Sequence, residues 1–254
     1  NELSILAYRQ PQLAYDAAMR LLVLQGYGSA RILQEARFAV LTFLHFAMAR
    51  QDAWKVVVYT DRPGAFTGLG PSVVTEPMGP DRLRAWRGGI DFVHRVKLEM
   101  LLDCLERHPG RLLYIDSDTW FSGDPWVLYE RIGPADAVMH GNEGKLEDES
   151  NGVMRKMHRF VRGRAMQLPD GDVVCMPGTT EMWNAGAIGL DPSVAQPLLR
   201  RALALTDVMH AQYRKHVTEQ LALSFVLQTS MRLHGADDVV QHYWRTCPEV
   251  EAIL

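Results

Sequence analysis

The stretch Arg111 to Trp120, RLLYIDSDTW, constrains this chain more than any other, because an apolar run passes directly into two carboxylates, Asp116 and Asp118. Leu112, Leu113, Tyr114 and Ile115 read as a strand covered on both faces of a parallel sheet, and such sheets bind ligands beyond the carboxyl ends of their strands. The acids stand at that end. Side chains two apart leave a strand on the same side, so Asp116 and Asp118 point together. Two hard oxygen ligands are too few for an all-protein cage, but they suit Mg²⁺ or Mn²⁺ when phosphate oxygens of a bound substrate complete the shell. The alternative for Asp-x-Asp alone is an acidic turn at the end of a strand.

The remaining elements fall into an alternating α/β order. Leu3 to Tyr8 reads as a first strand. Leu13 to Leu24 and Ala30 to Arg50 carry apolar residues at helical spacing and are broken by Gly26 and Gly28, which predicts two helices joined by a turn. Lys55 to Thr60 is a second strand, closing on the turn Asp61-Arg62-Pro63-Gly64, so Asp61 also stands at a carboxyl end. Between Phe66 and Gly89 the chain is rich in Gly and Pro, with a short strand at Ser72 to Glu76 and a weak helix near Arg82 to Trp86.

His94 to Arg107 is an amphipathic helix whose first turn carries Arg95 and Lys97. Cations there oppose the helix dipole, and an anionic ligand would account for them, as would an ordinary charged surface. Trp126 to Arg131 reads as a short helix and Asp136 to His140 as a strand. Residues 141–172 mix acidic and basic runs with little apolar periodicity, which predicts a flexible flap over the site. Met182 to Leu190 is strand-like with small residues at its centre. Pro192 to Lys215 and Thr218 to Leu233 are helices, and Val239 to Trp244 is a last strand.

Composition narrows the function. Lys+Arg of 27 against Asp+Glu of 30 gives a net charge of -3, which argues against a nucleic-acid partner and leaves room for a basic pocket that takes a phosphorylated small molecule. The three cysteines, Cys104, Cys175 and Cys247, are widely spaced and form neither a disulfide framework nor a zinc pattern, so a reducing, cytoplasmic location is expected. No stretch approaches the roughly 18 apolar residues of a membrane span, and the start of the chain lacks the order of a signal peptide; a peripheral membrane contact is left open. No repeat or linker divides the 254 residues, which read as a single domain.

With this order in view, the chain resembles the GT-A glycosyltransferases, and among them the family 8 type that includes glycogenin and bacterial galactosyl- and glucosyltransferases. Four stretches carry the likeness: RVKL (Arg95 to Leu98), LLYIDSDTWF (Leu112 to Phe121), WNAGAIGLD (Trp183 to Asp191) and EQLALSFVL (Glu219 to Leu227), followed by HYW (His242 to Trp244). It covers nearly the whole chain and is thin at Phe66 to Gly89 and in the flap. The resemblance implies a Rossmann-like nucleotide-diphospho-sugar transferase fold, a mixed, mostly parallel sheet flanked by helices. It also implies transfer of a hexosyl group from a nucleotide sugar, commonly a UDP-sugar, to a glycan, lipid or protein acceptor, with retention of configuration.

In that family a divalent cation, Mn²⁺ or Mg²⁺, is held by both carboxylates of the motif and a late histidine, here Asp116, Asp118 and His242. Ser117 lies between them at the donor. Arg95 and Lys97 match the family's cations ahead of the motif. Asn184, Ala185 and Gly186 match its Asn-Ala-Gly element at the donor sugar, and Glu219 and Gln220 its acid–glutamine pair beside the anomeric carbon, where they serve positioning and charge stabilisation. The family's usual Gly and Lys after the late histidine are absent; Arg245 stands where that Lys would reach the diphosphate. Its usual acidic or Asn residue after the first strand is replaced by Ala7, Tyr8 and Arg9, of which Tyr8 is suited to stack on a base. Two rivals remain. A haloacid dehalogenase-type phosphatase also uses Asp-x-Asp but needs Thr or Val where this chain has Trp120, and a GT-A-like module that binds without turnover is favoured only by the missing Gly and Lys.

Overall fold

The computed structural model describes residues 19–243. The expected strand Leu3 to Tyr8 and the candidate residues Ala7, Tyr8, Arg9 and Arg245 lie outside the described residues.

Along the chain, β1 (Arg20–Gln25) leads to α1 (Ala30–Ala47), β2 (Trp54–Thr60), β3 (Val73–Pro77), α2 (Pro80–Arg87) and α3 (Arg95–Arg107). Then come β4 (Arg111–Ile115), β5 (Thr119–Phe121), α4 (Trp126–Glu130), β6 (Asp136–Met139) and β7 (Asn142–Lys145). The second half holds α5 (Gly152–Val161), β8 (Ala165–Gln167), β9 (Val173–Cys175), β10 (Glu181–Trp183), β11 (Ala187–Leu190), α6 (Pro192–Gln212), α7 (Thr218–Ser230), β12 (Arg232–Gly235) and β13 (Val240–His242). Seven strands make the main sheet in the order β12-β6-β11-β4-β1-β2-β3. All neighbours are parallel except β11, which runs antiparallel to both β4 and β6. Among the described residues no helix is long and apolar enough to cross a membrane.

The sheet explains the continuous apolar strands. In β1, Leu21 and Val23 join the core under α3, α6 and α7, whereas Leu22 and Leu24 join the core under α1 and α4. Tyr114 faces the first core and Leu113 and Ile115 the second, so both faces are buried. Over Arg20 to Leu24, the described part of the helix expected over Leu13 to Leu24, this corrects the expectation to a strand; residues 13–18 lie outside the described residues. Four consecutive residues, Leu21 to Leu24, are fully buried, and they pair with β2 on one side and β4 on the other. Gly26 and Gly28 therefore follow a strand rather than join two helices, and the chain that leaves β1 beside the acidic motif is Gly26, Tyr27 and Gly28. Ser29 caps α1 by accepting from the Ile32 N–H.

Three other readings change. The region 141–172 holds β7, α5 and β8, and α5 buries Met154, Met157, Phe160 and Val161, so apolar periodicity is present there. The nine-residue strand expected over Met182 to Leu190 is two strands, β10 and β11, separated by Asn184 to Gly186. The helix expected to reach Leu233 ends at Ser230, where the chain enters β12 at the sheet edge.

Candidate active site

Asp116 follows the last residue of β4, and its N–H donates to the Gly186 carbonyl at 2.9 Å. Thr119 closes the turn by donating from its hydroxyl to the Asp116 carbonyl at 2.7 Å, which brings Ser117 and Asp118 over the strand end. The late strand β13 pairs antiparallel with β5, placing His242 opposite Thr119, and the Tyr243 N–H donates to the Asp118 carbonyl. Ligand atoms of Asp116, Asp118 and His242 consequently lie within 4.8 Å of one another. His242 Nε2 is 3.3 Å from Asp118 Oδ1.

The orientation of the histidine ring follows from its other nitrogen. His242 Nδ1 is 3.2 Å from Asn184 Oδ1, an oxygen that also accepts from the Gly186 N–H at 2.8 Å, while Asn184 Nδ2 donates to Glu143 at 3.1 Å. That oxygen can only accept, so Nδ1 donates to it and Nε2 is the nitrogen turned toward the carboxylates. Gly186 makes the arrangement sterically feasible. A Cβ there would sit 2.7 Å from the His242 ring carbon, closer still to Nδ1, and 2.9 Å from Asn184 Oδ1. Two carboxylates and one imidazole with an oriented second nitrogen fit a divalent cation of the Mn²⁺ or Mg²⁺ kind.

Lys97 sits beneath this cluster, buried, with Nζ 3.1 Å from Asp116 Oδ1, 3.7 Å from Glu219 Oε1 and donating to the Ala185 carbonyl at 3.0 Å. Burial opposes the charge on Lys97, but the carboxylates of Asp116 and Glu219 outweigh it and hold the ammonium above its ordinary pKa. Burial likewise works against the Asp116 carboxylate, yet Lys97, His242 and the Tyr114 hydroxyl together keep it below the usual range. Glu219 has weaker compensation. It is 2% exposed, its Oε1 has no hydrogen-bond partner, and burial pushes its pKa up to about 7 despite Lys97.

Two depressions flank the cluster. One, of about 360 Å³, is lined by Lys97, Asp116, Ser117 and Asp118 together with Gln25, Tyr27 and Glu35 from the end of β1 and from α1. The other, of about 590 Å³, takes in Asn184, Gln220, His242 and Glu143. His94 lines both, and burial, helped by the Lys97 charge, lowers its pKa to about 4, so it is a neutral imidazole at the junction.

The structure thus brings together Lys97, Asp116, Ser117, Asp118, Asn184, Glu219, Gln220 and His242. Ala185 and Gly186 are also here: their carbonyls accept from Lys97 and from the Asp116 N–H, and the Gly186 N–H donates to Asn184, so Gly186 presents no free amide and its lack of a Cβ admits His242. Arg95 is placed elsewhere. Its guanidinium is held by Asp207 of α6 at 2.8 Å, by Glu99 at 2.7 Å and by the Trp86 carbonyl, and it lines neither depression. Asp61 accepts from the Gly28 N–H at 3.2 Å and borders a separate depression beyond β2. The sequence reading missed Glu143, which joins Asn184 to Gln220 by accepting from both amides. It also missed His94, Tyr27 and His140, whose ring meets that of His242 edge to face at 5.3 Å.

No family model matches the chain, and no curated protein matches it in sequence. Among solved structures it is similar to the galactosyltransferase LgtC, crystallised in complex with donor and acceptor sugar analogues, with a TM-score of 0.56 and 11% identity over 85% of this chain and 73% of that one. At that identity the likeness is one of fold: the chain has the GT-A glycosyltransferase fold, a mixed α/β architecture around a seven-stranded, mostly parallel sheet.

Proposed function

We propose that the protein is a glycosyltransferase of the family 8 kind, which moves a hexosyl group from a nucleotide sugar, commonly a UDP-sugar, to an acceptor with retention of configuration. The observation that carries this reading is the meeting of Asp116, Asp118 and His242 at the carboxyl end of β4, between two depressions that each have room for one substrate. The GT-A fold and the four family-like stretches support it. Asp116, Asp118 and His242 would hold the cation, Mn²⁺ or Mg²⁺. Bound there, it supplies Lewis-acid stabilisation of the leaving diphosphate.

The smaller depression suits the donor. Its Tyr27 offers a ring for a base, and Lys97 places a fixed positive charge at the carboxylate cluster, where it offsets the charge of Asp116 and Glu219. On the other side Glu143 holds the amides of Asn184 and Gln220 in one orientation, so both side chains are set before a sugar arrives. In this reading the chain acts as one domain, in the cytoplasm, and residues 141–172 form the wall of the acceptor side.

The test is binding of UDP followed by thermal shift, with and without Mn²⁺, and release of UDP from a panel of UDP-sugars. UDP with Mn²⁺ should raise the melting temperature well beyond either alone, and Asp118→Asn, which keeps shape and removes one ligand charge, should abolish the difference. Equal UDP binding in EDTA would refute the metal site. Binding without release from any sugar would leave a GT-A-like binding module.

A further inference from the structure

The larger depression has two chemically different ends. Toward the carboxylate cluster it is polar, with His242, Asn184 and Gln220; beyond them its wall is apolar, built by Val153 and Met154 of α5, Met182 of β10 and Val217 just before α7. At the outer end Val153, Lys156, His216 and Val217 are shared with a second recess of about 160 Å³ that also takes in Lys215. The apolar wall therefore opens onto cations.

Those cations belong to two segments without acids. From Asn151 to Pro169 the chain carries Arg155, Lys156, Arg159, Arg162 and Arg164 and no Asp or Glu, and from Val208 to Thr218 it carries Arg214 and Lys215 and again no acid. Arg155 is answered by Glu149 at 3.4 Å and Arg164 donates to Gln212, but no carboxylate of the described residues lies within ion-pair distance of Lys156, Arg159, Arg162, Arg214 or Lys215. In a chain whose net charge is -3, this local excess contrasts with the rest of the surface, where arginines such as Arg50, Arg82, Arg131 and Arg232 each meet a carboxylate. Unpaired cations beside an apolar wall lower the free energy of a ligand that carries both properties.

We propose that the larger depression takes an anionic amphiphile: an acceptor whose apolar segment lies along Val153, Met154, Met182 and Val217, and whose phosphate or carboxylate group is met by Lys156, His216 and Lys215. The word acceptor rests on the transferase reading; the binding chemistry does not. An acceptor held this way has its polar, hydroxyl-bearing end directed at Asn184, Gln220 and His242. The anionic group is common to a lipid headgroup and to a soluble phosphorylated compound, and the test separates the two sources.

Dodecyl phosphate below its micellar concentration, dodecyl maltoside and inorganic phosphate are titrated against the full chain by calorimetry, in EDTA and without nucleotide, so the result is independent of donor and metal. Dodecyl phosphate should bind at least about tenfold more tightly than either other probe, its affinity should fall as salt rises, and Lys156→Ala with Lys215→Ala should weaken it about tenfold or more while circular dichroism stays unchanged. Val153→Asn should weaken dodecyl phosphate without altering its salt dependence. Equal binding of the maltoside, or unchanged affinity in the double variant, overturns the proposal. Sedimentation with phosphatidylglycerol but not phosphatidylcholine vesicles, lost in the double variant, assigns the anion to a lipid headgroup; dodecyl phosphate binding with no sedimentation assigns it to a soluble acceptor. Either supports the shared chemistry.

Discussion

Glu219→Gln tests the electrostatics of the site without reference to any substrate. The Glu219 carboxyl is 2% exposed, its Oε1 has no hydrogen-bond partner, and its pKa stands at about 7 in the folded chain against 4.5 for an ordinary glutamate. Between those values the folded state holds a proton that the unfolded state has released, so stability declines as pH rises through the window and the loss is complete somewhat above pH 7. The gap from 4.5 to about 7 corresponds to about 3 kcal/mol, with no discount for solvent at so buried a group. Glutamine keeps the shape and never ionises, and Lys97 retains Asp116 at 3.1 Å as its partner. In metal-free buffer, urea unfolding at pH 5 and pH 8 should therefore show the substitution close to neutral at the lower pH and stabilising at the higher one, with the difference approaching the figure above. An identical effect at both pH values, or a loss of stability that grows toward pH 8, would refute the reasoning. In the transferase reading, transfer activity should fall in the same variant, because Glu219 is one of the two carboxylates that hold Lys97 beneath the cluster.

Two further substitutions separate the scaffold of the site from its ligands. Gly186→Ala should displace His242 and weaken Mn²⁺-dependent UDP binding, with a destabilisation of about 1 to 3 kcal/mol from overpacking, measured by calorimetric titration alongside chemical unfolding; unchanged affinity would show that His242 is not a ligand. Arg95→Met breaks the ion pairs with Asp207 and Glu99 and should cost about 2 kcal/mol of stability while UDP affinity holds; a selective loss of UDP binding would return Arg95 to the donor site.

What could be read from the residues alone was the part written in short, local signals. The acidic strand end was legible because an apolar run and two carboxylates adjoin within ten residues, and α3 because its apolar face repeats at helical spacing. The pair Arg95 and Lys97 was noticed for running against the helix dipole. The structure supplies a reason for each, namely Asp207 and Glu99 for one and Asp116 and Glu219 for the other, and only the second pair belongs to the site. β1 was misread because Leu21 to Leu24 are buried on both faces, and a fully buried strand loses the alternation that distinguishes it from a helix. Glu143 carried no signal at all. It stands in a run with Glu147, Asp148 and Glu149, and only the pairing of β7 with β10 sets it against Asn184.

The direction of β11 shows why such long-range parts of the site resist sequence reading. In a wholly parallel sheet, only carboxyl ends meet at the ligand edge, and the loop before a strand lies at the opposite edge. β11 is antiparallel to β4, with Ala187 opposite Ile115, so the loop before it, Asn184 to Gly186, arrives at the same edge as Asp116. That reversal lets the Gly186 carbonyl accept from the Asp116 N–H and lets Asn184 reach the imidazole that β13 delivers. Glycine at 186 is then required by the close approach of His242, while the Ala185 carbonyl accepts from Lys97. A reading of Met182 to Leu190 as one continuous strand has no place for this loop, since each residue would be spent on the sheet. The break between β10 and β11 is thus the feature that lets Asn184 and Gly186 hold the His242 imidazole beside the acidic strand end.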